Sequence, residues 1–193
     1  MMSPLPSDDR RALLVLARQA IVAASSAASP PEIFPRLAQI KGAPGVFVSL
    51  HCHGRLRGCI GRLDAGDALA VTVASCAVSA ALDDPRFPPV ARDELAALEI
   101  EISVLSSFQE IRPHQVQAGL HGLLVSRGRL RGLLLPQVAV QFRWSAETFL
   151  EETCMKAGLE RDAWKDASTR IEAFTAEVFS EKELIHQGRA QAV

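Results

Sequence analysis

The chemistry-bearing residues of this chain gather in one short stretch, Arg55-Leu56-Arg57-Gly58-Cys59-Ile60-Gly61, where a thiol stands two residues from a guanidinium. In an extended strand the period of two puts Arg55, Arg57, Cys59 and Gly61 on one face and Leu56, Gly58 and Ile60 on the other. A neighbouring cation favours the thiolate, which is the nucleophilic form, and flanking glycines let a ligand approach the backbone closely. Cys59 is therefore the candidate nucleophile and Arg57 its candidate activator. The plainer alternative is a small half-buried thiol in a crowded hairpin. A cysteine nucleophile needs a base, and His121 is the candidate for that part, against a simple backbone-capping role at a turn.

Other polar residues offer less. Glu99 and Glu101 share a strand face, as a carboxylate pair or as partners of Arg55 and Arg57, with Glu101 the candidate for ligand or partner contact. Asp84-Pro85-Arg86-Phe87 reads as a helix-ending turn in which Asp84 takes backbone donors and Arg86 is free to reach a ligand. His51 and His53 flank Cys52, but two ligands without a third make a weak metal site, and no metal or other cofactor is expected. Cys76 and Cys154 fall on apolar helical stripes and read as core. Neither a Gly-rich phosphate loop nor a metalloprotease helix is present in the sequence.

These residues need elements to position them. Asp8 and Asp9 suit the opening turn of a first helix capped by Ser7, whose apolar residues Leu13, Ala17, Ala20 and Ile21 follow helical spacing. Residues 45–50 are an apolar, β-branched run that leads through His53-Gly54 into the Cys59 stretch, which predicts a hairpin. A helix is predicted from Asp67 to about Ala81, then a strand in which Ile100, Ile102 and Val104 alternate with Glu99, Glu101 and Ser103. The order then recurs: a hairpin over 122–135, a helix from Ser145 to Ala157, and a strand from Arg170 to Phe179. Gly54-Arg55-Leu56-Arg57-Gly58 is matched letter for letter by Gly128-Arg129-Leu130-Arg131-Gly132, so an internal repeat is expected over about 45–107 and 119–180. The fold class that follows is α+β: duplicated hairpin-helix-strand units forming mostly antiparallel sheet packed with helices, with an extra N-terminal helix.

Composition sets bounds on all this. With 193 residues, 48% apolar and 22% charged, the chain has the profile of a globular protein, and one domain, with two lobes as an option, is the expectation. A formal net charge of -1 argues against broad nucleic-acid binding, though an arginine cluster could hold one phosphate. The first residues lack the basic and apolar regions of a signal peptide and no stretch approaches a membrane span, so a cytoplasmic location is expected. Four cysteines without a CxxC pair then read as free thiols.

Several segments together resemble the AMMECR domain family, closest to its bacterial and archaeal form, protein A of the AmmeMemoRadiSam system. The matching residues include Leu56-Arg57-Gly58-Cys59-Ile60-Gly61, Asp84-Pro85-Arg86-Phe87-Pro88-Pro89, Leu98-Glu99-Ile100-Glu101-Ile102-Ser103-Val104-Leu105, His121-Gly122-Leu123, Gly132-Leu133-Leu134-Leu135-Pro136-Gln137-Val138-Ala139 and Thr153-Cys154-Met155-Lys156-Ala157-Gly158-Leu159. His51-Cys52-His53 departs from the family pattern. The resemblance implies an α+β fold of duplicated units and an association with a Memo-like protein and a radical SAM protein, and it implies no settled reaction. Three functions stay open: an accessory or adaptor subunit for those partners, ranked first; a small enzyme using Cys59; and anion or nucleotide binding by the two arginine-rich hairpins, through Arg55 and Arg131.

Overall fold

A computed structural model describes residues 4–41, 43–63 and 66–183. In chain order the elements are α1 (Ser7–Ser25), α2 (Pro35–Ala38), β1 (Gly45–Cys52), β2 (Arg55–Leu63), α3 (Leu69–Leu82), β3 (Leu98–Leu105), β4 (Gln109–Glu110), β5 (Gly122–Arg127), β6 (Leu130–Leu134), α4 (Pro136–Gln141), α5 (Ala146–Lys156), β7 (Arg170–Phe174) and β8 (Ala176–Ser180). Three short 3₁₀ turns, Arg92–Glu94, Pro113–Gln115 and Ala163–Lys165, interrupt the loops. The described residues divide into two compact units, one of residues 4–104 with 177–183 and one of Leu105–Ala176. The fold is α+β, with two four-stranded sheets of order β2-β1-β3-β8 and β4-β7-β5-β6.

In the first unit the apolar alternation of β1 buries Val46, Val48 and Leu50 beneath α1 and α3. Leu13, Ala17 and Ile21 of α1 and Leu69, Val73, Cys76, Ala77 and Ala80 of α3 complete that core, as their helical spacing requires. Ser7 is the first helical residue rather than the cap; Pro6 holds the cap position, and the Asp8 and Asp9 carboxylates lie in the first turn, where the helix dipole favours them. The helix expected to begin at Asp67 begins at Leu69.

The second unit repeats the order of hairpin, helix and strand around Leu123, Val125, Phe149, Leu150, Cys154 and Ile171. Ser145 caps α5 by accepting the Thr148 N–H at 3.1 Å. The strand expected over 170–179 is broken at Thr175. β7 pairs antiparallel with β5 and β4, whereas β8 belongs to the sheet of β1–β3. Thr175 is held at the break by its N–H to Ser106 Oγ (2.9 Å) and its carbonyl from the Ser106 N–H (2.9 Å), so the chain enters and leaves this unit at one point.

Candidate functional site

The two-residue turn between β1 and β2 is His53-Gly54, both with positive φ (50° and 74°), the combination that matches the twist of a tight hairpin. Beyond the turn Cys52 pairs with Arg55 and His51 with Leu56, but Leu50 pairs with Gly58, so Arg57 is an extra residue without a partner in β1. This bulge breaks the period of two. Arg55 consequently takes the register of Cys52, on the side of Leu50 and Val48, and does not share the face of Cys59 as strict alternation predicts. From Gly58 onward alternation resumes, with Ile60 packed on the core and Cys59 opposite Ser49. Gly58 is obligatory here: a Cβ would lie 2.1 Å from the Ala80 carbonyl oxygen of α3.

Cys59 is half-buried, and its sulfur receives a hydrogen bond from Ser49 Oγ at 3.3 Å. β2 is the edge strand of its sheet, and the edge-facing groups of Cys59 find side chains in place of a further strand. Its N–H donates to Asp84 Oδ2 at 2.8 Å, and its carbonyl accepts from Arg86 Nη2 at 3.0 Å. A residue pair whose backbone groups point away from each other brings its side chains closest, which explains the hydroxyl–thiol contact.

The clamp is built locally. Pro85 sits at the second position of a turn closed by Phe87 N–H to Asp84 C=O (3.1 Å), and Asp84 Oδ1 accepts the Arg86 N–H two residues on (3.1 Å). The Arg86 guanidinium returns to the same carboxylate through Nε (2.9 Å) and Nη2 (2.6 Å). Hydrogen bonding from Arg86 therefore holds the Asp84 carboxyl far below the usual carboxylate range, against the opposing effect of burial. Arg86, expected to be free, is committed to Asp84 and to the Cys59 carbonyl, reaches the Cys59 side chain as well, and lies over the Phe87 ring at 5.5 Å.

Arg57, placed by the bulge, does not turn its charge to the thiol. It grips Glu94 through Nε (2.7 Å) and Nη2 (2.8 Å) and donates to the carbonyls of Pro88 (2.9 Å) and Pro89 (3.3 Å). Hydrogen bonding from Arg57 and from the Ala91 N–H (2.9 Å) lowers the Glu94 carboxyl to about 2. Glu94 and Ser49 are the site residues that sequence reasoning missed. Ser49 was signalled only as the single polar residue of an apolar run, and Glu94 only by its place as the last residue of a 3₁₀ turn, three residues after Ala91.

The other candidates are spread. Glu101 is half-buried on β3 and is not a free carboxylate. His121 belongs to the second unit, where its Nδ1 accepts the Gln117 N–H at 3.2 Å. Arg131 is exposed on β6, opposite Ser126. Burial pushes the Cys76 thiol up to about 11 and raises that of Cys154, as expected of core cysteines. Among the described residues no three His, Cys, Asp or Glu side chains are grouped to hold a metal, and no helix is long and apolar enough to cross a membrane.

Comparison with known proteins places this geometry in a family. The AMMECR1 family model matches residues 14–179. A protein of Methanothermobacter thermautotrophicus is 41% identical over 189 residues, covering 93% of this chain and 97% of its own length. Another, of Pyrococcus furiosus, is 43% identical over 164 residues, covering 79% of this chain and 75% of its own. Among solved structures, that of the uncharacterized protein PH0010 from Pyrococcus horikoshii is similar with a TM-score of 0.83 and 38% identity over 92% of this chain and 93% of that one. The chain belongs to the AMMECR1 family.

Proposed function

We propose that the chain is an accessory or adaptor protein for a Memo-like protein and a radical SAM protein, and that the Cys59 hairpin is a rigid recognition surface rather than a reaction centre. One observation carries this reading: both guanidiniums near Cys59 are closed into ion pairs, Arg57 with Glu94 and Arg86 with Asp84, and the Cys59 peptide is clamped at both ends. Cations used in this way fix backbone shape: Arg86, which also reaches the Cys59 side chain, is held by the Asp84 carboxylate, and Arg57 by that of Glu94. The exposed side chains the frame presents are Arg55 and, on the register of Cys59, Leu56, which is 41% exposed. Preorganised edges of this kind suit protein recognition because little ordering is lost on binding.

The experiment pairs two variants in co-purification with the Memo-like and radical SAM proteins. Cys59→Ser is expected to bind as the wild type does, and Arg55→Glu combined with Leu56→Ser to lose binding. Loss of binding in Cys59→Ser, or its retention in the double variant, overturns the reading. The alternative, an enzyme with a reactive Cys59, predicts alkylation by iodoacetamide that stays fast well below pH 8, whereas an adaptor predicts the rate of an ordinary thiol.

A further inference from the structure

The second unit contains a recess of about 460 Å³ between the segment Glu110–Pro113 and the stretch that runs from the 3₁₀ turn Ala163–Lys165 to Ile171. Its charges are unevenly satisfied. Of the two acids in its wall, Glu110 pairs with Arg170 (3.2 Å), and Asp166 accepts the Ser168 N–H (2.8 Å) and faces Arg127 at 3.7 Å. Neither of the two cations has an ion-pair partner among the described residues: the Lys165 ammonium lies over the Trp164 ring at 5.0 Å, and Arg112 is exposed. Two residues of its wall each carry a buried polar atom without a partner among the described residues: the Trp164 indole Nε1, which can only donate, and the Thr169 hydroxyl, on a residue 8% exposed. Buried donors are seldom left unmet in a folded protein, so both call for an acceptor. Ile111, Pro113 and Ile171 supply an apolar wall.

We propose that this recess binds a small organic oxyanion carrying a flat ring, an aryl carboxylate or aryl phosphate. The oxyanion supplies the negative charge that Arg112 and Lys165 lack and, on a small local opening of the wall, the acceptors that Trp164 and Thr169 lack. The ring packs on the Trp164 face and the apolar wall, in a volume suited to a small ligand. A site with two cations, two unmet donors and one aromatic plane discriminates by charge first and ring second. Neither Cys59 nor the hairpin of the first unit takes part.

Calorimetry on the full chain with phenyl phosphate, benzoate, inorganic phosphate and benzamide tests this. At least one of the two aryl anions is expected to bind saturably, and which binds tighter identifies the headgroup; inorganic phosphate is expected to bind more weakly and neutral benzamide not at all. Arg112→Ala with Lys165→Ala, both exposed positions, is expected to weaken binding by roughly tenfold or more with the melting profile unchanged. Thr169→Val is expected to weaken it severalfold. Absence of saturable binding by both aryl anions, benzamide binding as tightly as benzoate, phosphate binding as tightly as phenyl phosphate, or an unaffected double variant overturns the proposal.

Discussion

The two hairpins carry the same five letters, Gly-Arg-Leu-Arg-Gly, and use them differently. In the first, Gly54 is the second residue of the turn; in the second, Gly128 (φ 61°) is the first, between the paired Arg127 and Leu130. The offset of one residue is absorbed by the bulge at Arg57, so that Gly58 pairs with Leu50 as Gly132 pairs with Val125. At these closing glycines the hairpins agree again. A Cβ at Gly58 would meet the Ala80 carbonyl at 2.1 Å, and one at Gly132 would meet the Ala157 nitrogen at 2.3 Å, each the backbone at a helix C-terminal turn. The arginines diverge: Arg57 is enclosed by Glu94 and the Pro88-Pro89 carbonyls, whereas Arg131 is exposed. The shared order of hairpin, helix and strand, with shared glycine packing, is what a duplication would leave. The bulge and the Asp84–Glu94 loop are what made one copy different.

The largest effect tests the common part. Gly58→Ala and Gly132→Ala should each lose about 3 kcal/mol or more in denaturant unfolding, because backbone cannot retreat as a flexible side chain can. Tolerance at either position would separate the hairpins where they are now equated. Asp84→Ala should cost about 2–3 kcal/mol, by stranding the Cys59 N–H and the Arg86 charge at a sheet edge. In the second unit the loop after α5 meets its hairpin only through Glu160 and Asp166 facing Arg127 at 3.8 and 3.7 Å among the described ion pairs, so no matching substitution there should cost as much.

The arginines give a smaller and opposite pair of results. Arg57→Ala should destabilise by about 2 kcal/mol while Arg131→Ala stays within about 0.5 kcal/mol, the usual range at an open surface. Equal costs would mean that the bulge does not matter energetically. The smallest effect is on pH dependence. With its carboxyl near 2 in the folded chain and about 4.3 when unfolded, Glu94 contributes stability that is full above about pH 4.3 and fades as the pH falls toward 2. Glu94→Gln should therefore flatten the stability profile in that interval and lower stability at neutral pH, as monitored by acid titration of the circular dichroism signal.

Much of the first unit was legible because periodicity fixes faces: the buried residues of α1 and the core side of β3 were readable from spacing alone. The site was legible only in part. Cys59 and the Asp84–Phe87 turn were readable as local chemistry. The partner of Arg57 was not, since Glu94 lies 37 residues away and the pairing depends on a loop path with no repeating pattern. Strict alternation also misassigned Arg55, because a bulge adds a residue without leaving a composition signal. The break at Thr175 escaped notice for a related reason: an unbroken strand-like run does not tell which sheet each half will join.

By itself the sequence determined the fold class, the apolar faces of its helices, and the family; that the glycines beside Cys59 and in the second hairpin face helix backbone, and not an approaching ligand at Gly58, came from the tertiary structure. Tertiary structure alone decided which charges are free. Hydrophobic pattern acts along the chain and repeats with the local period, whereas an ion pair forms between whichever residues the finished fold brings within about 3 Å, a distance unrelated to their separation in sequence.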